Sequence, residues 1–164
     1  GEESRTLSFK SVYRSKYENL GVGSLYEINF DNREPTDADY KKESIQKDIE
    51  VEMKRYIDLD IDIPDLIAMD VQGAELSVLK GFEEKIKEVY AVILETSISE
   101  NYKGGSTFLN IYRYMKSKNF KLVINTRSHK NSGLIWEAIK YTLLRRKNYI
   151  PDINVLFINK NGLS

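Results

Sequence analysis

The chain of 164 residues contains no cysteine and only one histidine, His129. Without cysteine it can form no disulfide, no thiol nucleophile and no zinc site of the cysteine type. A metal site built from several histidines is excluded as well, and we expect no bound metal. We expect a cytoplasmic location, since a chain without cysteine and without a visible signal peptide fits that compartment.

The sequence has no excess of charge of either sign and no long hydrophobic run. Lys and Arg together number 25, as do Asp and Glu, whereas a dedicated nucleic-acid-binding domain normally has a basic excess. No apolar stretch approaches the roughly 20 residues that cross a bilayer. With 41% hydrophobic and 30% charged residues, the composition is that of a folded domain. We therefore expect no nucleic-acid partner and no membrane span.

The first third of the chain predicts an antiparallel hairpin with a long polar connection. Residues 6–12 and 49–53 both alternate apolar and polar side chains, which is the pattern of half-exposed strands. Between them, residues 29–48 are almost wholly polar and predict a loop. We assign residues 1–56 to this hairpin unit, within a single domain that spans residues 1–164.

From residue 57 onward, strands and helices are expected to alternate. Buried strands are predicted from the apolar runs at 66–69, 90–94, 121–124 and 154–158. Helices are predicted between them, at 74–89 with an interruption at Gly81, at 108–115 and at 134–144. This alternation indicates an α/β fold with a mostly parallel sheet. Ligands of such sheets bind at the carboxyl ends of the strands, where Asp70 and Glu95 are expected.

The densest group of candidate site residues follows the first of these buried strands, in the sequence Asp70-Val-Gln-Gly-Ala-Glu75. Asp70 would be held at the sheet edge, Gln72 offers an amide, and Gly73 permits a sharp turn or a close approach to a ligand. Glu75 lies in the first helical turn, where the helix dipole favours an anion. A turn that is merely capped and solvated would use the same residue types, so the motif alone supports a structural and a functional interpretation equally.

The segment Asp65-Leu-Ile-Ala-Met-Asp-Val-Gln-Gly-Ala-Glu-Leu-Ser-Val-Leu-Lys-Gly81 resembles the central motif of FkbM-type methyltransferases. Flanking segments resemble the surrounding parts of that family, so that the resemblance extends over roughly residues 4–160. It implies the C-terminal part of a Rossmann-like methyltransferase sheet, in which the last strand runs antiparallel to its neighbours. Residues 57–164 would form the alternating half of this domain.

The glycine-rich cofactor loop of that family, and the acidic residue that would hold the ribose, have no counterpart in the sequence. Gly21-Val-Gly-Ser24 does not replace the loop, because no buried strand precedes it and no amphipathic helix follows it. We therefore expect a sheet that is incomplete on its N-terminal side, in a chain that is a fragment. The open edge of the strand at 66–69 would pair with residues outside this chain, with a partner subunit in a homo-oligomer, or with a rearranged N-terminal segment.

The resemblance implies a methyl transfer that depends on S-adenosylmethionine, with a hydroxyl of a sugar or another small metabolite as the acceptor. Asp70 would act as the catalytic base or orienting group, and Asp70 and Gly73 would contact the cofactor. The acceptor would be bound by polar side chains at the same edge, which are Gln72, Glu75, Glu95 and Tyr102.

Two other functions stay open at this point. A methyltransferase-like half without its cofactor loop could serve as a non-catalytic binding or assembly module. The chain could also be a nucleotide-sugar enzyme with an unrelated site on a similar sheet. A strand and a Gly-x-Gly loop upstream of this sequence would favour the methyltransferase over the module.

Two further features have functional and structural interpretations. The helix at 134–144 has apolar residues that we expect to face the core rather than a membrane, namely Ile135, Trp136, Ile139 and Leu143. His129 lies in a polar loop, where it is more simply a surface residue than a part of the acceptor pocket.

Overall fold

The computed structural model describes residues 1–13, 20–32, 45–127, 130–144 and 150–163. They form an α/β structure with a two-stranded antiparallel sheet and a mixed four-stranded sheet. The two-stranded sheet consists of β1 (Arg5–Val12) and β2 (Gln46–Met53), which pair along their whole length. The predicted hairpin is therefore present.

The second strand of this hairpin begins at Gln46 and not at Ile49, so the predicted extent of the polar loop is wrong at its end. The side chain of Gln46 accepts a hydrogen bond from the backbone N–H of Ile28 at 3.0 Å and donates one to the carbonyl of Tyr26 at 3.3 Å. These contacts explain why Gln46 belongs to the strand, although the alternation of apolar and polar residues does not extend to it. The remainder of the loop, residues 33–44, lies outside the described residues.

The four-stranded sheet has the order β3 (Leu66–Met69), β4 (Ala91–Thr96), β6 (Ile153–Asn159) and β5 (Phe120–Asn125). β3 and β4 are parallel, whereas β6 runs antiparallel to both of its neighbours, β4 and β5. The four predicted strands, the parallel pair and the reversed last strand are all confirmed. β3, β4 and β5 thus run in one direction and end at the same edge of the sheet.

Three helices connect these strands: α1 (Glu75–Lys80), α2 (Phe108–Ser117) and α3 (Asn131–Leu143). α1 is much shorter than the predicted helix at 74–89, and a 3-10 segment, Glu83–Glu88, follows it. The break occurs because the backbone of Glu83 is left-handed, with φ of 51°, a conformation that ends an α-helix. α2 extends the predicted helix by two residues, and α3 begins three residues before the predicted start.

All three helices pack against one face of the four-stranded sheet. Alternate strand residues point to this face, and they are buried in one core together with residues of every helix. Examples from β4, α1, α2 and α3 are Val92, Leu79, Ile111 and Leu134, each of them 0% exposed. Burying such a side chain stabilises the fold by roughly 1.5–3 kcal/mol. The core on this face therefore contributes most of the stabilisation that comes from apolar burial.

The opposite face of the same sheet is apolar and poorly covered. Leu66, Ile93 and Ile124 all point to this face, as the register of the strand pairs shows. They are 52%, 40% and 55% exposed, which are values of surface residues. We call this surface the bare face. Within the described ranges β3 pairs only with β4, so its other edge is open as well.

The prediction for α3 is wrong for two of its four apolar residues. Trp136 is 60% exposed and Leu143 is 75% exposed, whereas Ile135 and Ile139 pack partly against the core. The buried stripe of α3 consists of Leu134, Ala138 and Tyr141. This stripe follows the helical spacing of i, i+4 and i+7, which leaves positions 136 and 143 on the outer side.

In the described ranges, no helix has the length and apolar character that a membrane crossing requires. His129 lies outside the described residues, so its predicted surface role stays a prediction.

Leu79→Ala and Leu66→Ala form a matched pair that tests the difference between the two sides of the sheet. Leu79 is fully buried in the core, so its truncation should lower the free energy of unfolding by about 2–5 kcal/mol. Leu66 lies on the bare face, so its truncation should cost less than about 1 kcal/mol. Equilibrium unfolding of residues 1–164 in urea measures both values. Equal losses in the two variants would contradict the assignment of a bare face.

Candidate functional site

The turn between β3 and α1 carries the residues that the sequence singles out. Asp70 follows β3 directly, and the next residues have a left-handed backbone at Gln72 (φ 52°) and Gly73 (φ 93°). A Cβ atom at Gly73 would also lie 3.2 Å from Cβ of Tyr102. Both the backbone angle and this close contact require glycine. The turn therefore presents Asp70 and Gln72 at the carboxyl edge of the sheet.

Hydrogen bonds from distant parts of the chain fix this turn. Gln72 Nε2 donates to Asp70 Oδ1 at 2.5 Å, and the hydroxyl of Tyr102 donates to Gln72 Oε1. The hydroxyl of Ser24 donates to the backbone carbonyl of Gln72 at 2.6 Å. Tyr102 and Ser24 are both buried, so water competes little for the bonds that they donate, whereas the bond between Gln72 and Asp70 is exposed. The amide of Gln72 is thereby held between Tyr102 and Asp70.

Glu75 is buried, and both of its carboxylate oxygens accept hydrogen bonds within the protein. Oε1 accepts from the backbone N–H of Gly73 at 3.0 Å, and Oε2 accepts from the hydroxyl of Ser106 at 2.9 Å. The same hydroxyl lies 2.9 Å from the carbonyl oxygen of Gly73. Glu75 thus stabilises the turn through these hydrogen bonds. Its contact with an acceptor stays a prediction.

Glu95 lies beside Asp70 at the carboxyl edge. Met69 pairs with Leu94 in the parallel ladder, and this pairing brings the carboxylate after each of them to neighbouring positions. Burial, followed by the charges of Asp70 and Asp152, raises the pKa of Glu95 to about 7. A hydrogen bond with Asp70 acts in the same direction. Glu95 therefore holds a proton for much of the time at neutral pH and can donate it to Asp70.

The cavity around these residues has further walls that the sequence analysis did not single out. They are formed by Thr96, Ser97, Ser99, Asn101, Ser106 and Asp152. Asp152 precedes β6, and because β6 is reversed, its first residues lie at the edge where β3 and β4 end. Asn101 Nδ2 donates to Asp152 Oδ1 at 2.8 Å. A carboxylate just before a reversed strand was the signal that would have predicted Asp152.

Two cavities meet at Asp70 and Gln72. The acid cavity, of about 30 Å³, is lined by four carboxylates, which are Asp70, Glu75, Glu95 and Asp152. The second cavity, of about 360 Å³, lies between the hairpin and α1, and its apolar wall includes Phe9, Leu25, Met53, Val71 and Val78. The structure thus places Asp70, Gln72, Glu75, Glu95 and Tyr102 around one cavity, together with Gly73.

Comparison with known proteins identifies the family. The methyltransferase FkbM domain profile matches residues 9–122, which is more than half of the chain. The chain belongs to the FkbM methyltransferase family. No curated protein and no solved structure matches it significantly. The resemblance found in the motif at residues 65–81 is therefore confirmed.

The FkbM match covers most of the candidate site. It includes Asp70, Glu95 and Tyr102, whereas Asp152 and the rest of β6 lie beyond its last matched residue. Membership of this family indicates a methyltransferase, since the family is defined by a methyltransferase domain. The edge of the FkbM sheet that carries Asp70 and Glu95 is also where ligands of α/β sheets bind.

The raised pKa of Glu95 predicts that this residue makes stability depend on pH. A carboxyl group with a higher pKa in the folded state favours folding while protonated, so its contribution is present below pH 4.5 and is lost as the pH rises through about 7. Glu95→Gln cannot ionise, so it should stabilise the protein more at pH 8 than at pH 5. The difference should be smaller than the full shift implies, because the side chain is partly solvated.

Urea unfolding at both pH values measures this effect. Glu50→Gln is the control, because Glu50 is exposed on β2 and its loss should change stability equally at pH 5 and pH 8. The same pH-independent result for Glu95→Gln would contradict the electrostatic description of the acid cavity.

Proposed function

We propose that this protein transfers a methyl group from S-adenosylmethionine to a hydroxyl of a small acceptor. The observation that carries the proposal is the position of Asp70 beside Glu95, at the ligand-binding edge of a domain of the FkbM family. Methyltransferases of this kind generally use S-adenosylmethionine. The reversed β6 between β4 and β5 fits a Rossmann-like methyltransferase sheet.

Bound S-adenosylmethionine would supply a methyl group that its sulfonium charge already activates. The protein then has to align the acceptor oxygen with this methyl group and take up the proton that the oxygen loses. Asp70 can accept this proton, because Gln72 orients its carboxylate and Tyr102 in turn orients Gln72. Glu95 can donate its own proton to the acceptor or to Asp70 and so orient both groups.

The residues present fit the reacting end of the cofactor. Asp70 lines both cavities at the edge next to the open side of β3, and its negative charge suits a sulfonium group. Gly73 would contact the cofactor through its backbone, since Tyr102 fills the space beside its Cα. The described residues contain neither a glycine-rich strand-to-helix loop nor a carboxylate placed for the ribose. We propose that polypeptide outside residues 1–164 supplies these contacts.

We further propose that the same polypeptide adds a strand to the open edge of β3 and covers the bare face. An unpaired strand edge beside exposed apolar side chains is a surface that favours association. The added polypeptide would belong either to a longer form of this chain or to a second subunit. This arrangement would bring the cofactor-binding half next to Asp70, because β3 ends there.

The missing cofactor loop also favours a second candidate function, a non-catalytic binding or assembly module. In that case the bare face would serve a structural partner, and the acid cavity would carry no reaction. Cofactor binding by the complete protein distinguishes the two functions.

Asp70→Asn tests the catalytic role. The asparagine keeps the oxygen that accepts from Gln72 but cannot take up a proton, so turnover should fall by about 10²–10⁴-fold while the fold is retained. Transfer of labelled methyl groups by the complete protein measures turnover, and circular dichroism checks the fold. Glu50→Gln, which is remote from the site, should leave turnover unchanged. Near-normal turnover of Asp70→Asn would leave Asp70 a structural role only.

Calorimetry with S-adenosylmethionine tests the origin of the cofactor contacts. Residues 1–164 alone should bind weakly or not at all, because they offer contacts to the reacting end only. The complete protein should bind with micromolar affinity if it is an enzyme. Micromolar binding by residues 1–164 as a stable monomer would show that the cofactor site lies within them. No binding by the complete protein would favour the assembly module.

A further inference from the structure

The outer side of α3 carries exposed apolar side chains in one stripe. Trp136 and Leu143 are 60% and 75% exposed, and Leu144, which follows the helix, is 59% exposed. Trp136, Lys140 and Leu143 have the spacing i, i+4 and i+7, so they lie on one side of the helix, opposite to its buried stripe. We call these four residues the α3 stripe. Single exposed apolar residues are common, whereas a group that includes tryptophan indicates an interaction surface.

The charge of the α3 stripe is positive. Lys140 belongs to the stripe, and its Nζ lies 6.0 Å from the ring centre of Trp136. The one acidic residue of α3, Glu137, accepts hydrogen bonds from Nε and Nη2 of Arg127 at 2.9 and 2.6 Å, so its charge is compensated. The sequence continues past the helix with Arg145-Arg146-Lys147, which lie outside the described residues. The chain nevertheless keeps these three charges within a few residues of the stripe.

The position of α3 in the fold separates its stripe from the open edge of the sheet. α3 packs against β5 and α2, and β5 lies at the opposite end of the sheet from β3. The polypeptide that we propose for the edge of β3 would therefore add at the far end of the sheet, and it does not account for the exposure of the α3 stripe. β5 ends and β6 begins at the carboxyl edge, so the connection that contains α3 starts and finishes at the edge that carries Asp70.

An anionic membrane surface fits this combination of residues better than a protein partner does. Tryptophan is enriched at membrane interfaces, because its ring is apolar and its N–H is polar. The leucines beside it would enter the boundary of the acyl chains, and basic residues would contact the anionic head groups. The centre of a protein–protein interface, in contrast, is depleted of lysine, and Lys140 lies between Trp136 and Leu143.

We propose that the α3 stripe binds the surface of anionic membranes, with α3 lying in the plane of the interface. Trp136 and Leu143 would enter the head-group region, and Lys140 would contact lipid phosphates. This binding is peripheral, and none of the helices in the described ranges has to cross the bilayer. Because both ends of α3 connect to the carboxyl edge, the docked helix would hold this edge close to the head groups. The inference goes beyond the proposed methyl transfer and does not depend on it.

Co-sedimentation of the complete protein with lipid vesicles measures this binding. Vesicles of phosphatidylcholine with about one quarter phosphatidylglycerol should bind the protein about tenfold more tightly than vesicles of phosphatidylcholine alone. Added sodium chloride should reduce this difference, because it screens the charges of the lipid surface. The fluorescence that Trp136→Phe removes from the protein belongs to Trp136. This emission should shift to shorter wavelength when the anionic vesicles are added, because the ring then leaves water.

A double variant, Trp136→Gln with Leu143→Gln, removes the apolar part of the stripe. Both side chains are exposed, so the variant should keep the fold but bind the anionic vesicles about tenfold more weakly. Ile61→Gln is its control, because Ile61 is 57% exposed and lies outside α3. Lys140→Gln should weaken the binding about fivefold, whereas Lys85→Gln, in the exposed segment before β4, should leave it unchanged.

Three outcomes would overturn this inference. The first is a complete protein that binds neither kind of vesicle or binds both equally. The second is equal binding of the anionic vesicles by the double variant and by the unchanged protein. The third is a dimer that the double variant alone fails to form in sedimentation velocity, which would assign the α3 stripe to a second copy of this chain. None of these outcomes bears on the proposed methyl transfer, because the variants leave Asp70 and Glu95 unchanged.

Discussion

Met69 of β3 and Leu94 of β4 pair in a parallel ladder, and the candidate site depends on this pairing. It brings the next residues, Asp70 and Glu95, to one edge of the sheet although their charges repel. The ladder and the core beneath it hold the strands in register, and Val92 and Leu94 are fully buried there. The fold therefore stabilises an arrangement of carboxylates that the side chains alone would not adopt.

The carboxyl edge could be predicted from the sequence because it follows from local patterns. Apolar runs define the ends of β3 and β4, and a crossover between two such strands makes them parallel. The positions of Asp70 and Glu95 then follow from counting along the chain. The place of Tyr102 came from the family resemblance, and its hydrogen bond to Gln72 could not be deduced from spacing.

The rest of the site could not be predicted, because it depends on contacts between segments that are distant in sequence. Ser24 and Ser106 are ordinary polar residues of turns until the fold places them against Gln72 and Glu75. Asp152 is the exception, because the reversal expected for the last strand already brings its carboxylate to this edge. The errors at Gln46 and Trp136 have a related cause, since a polar residue can pair in a ladder and an apolar one can face solvent.

The bond between Ser24 and the carbonyl of Gln72 links the N-terminal segment to the site turn across 48 positions of sequence. The position of Gln72 therefore depends in part on this segment, which packs in its own small cluster with Val12, Ile28 and Ile45, separate from the main core. A local opening of that cluster would release Gln72 while the four-stranded sheet stays folded. Amide hydrogens of the site turn should then exchange in a low-energy cooperative unit shared with the hairpin, and not with the core strands.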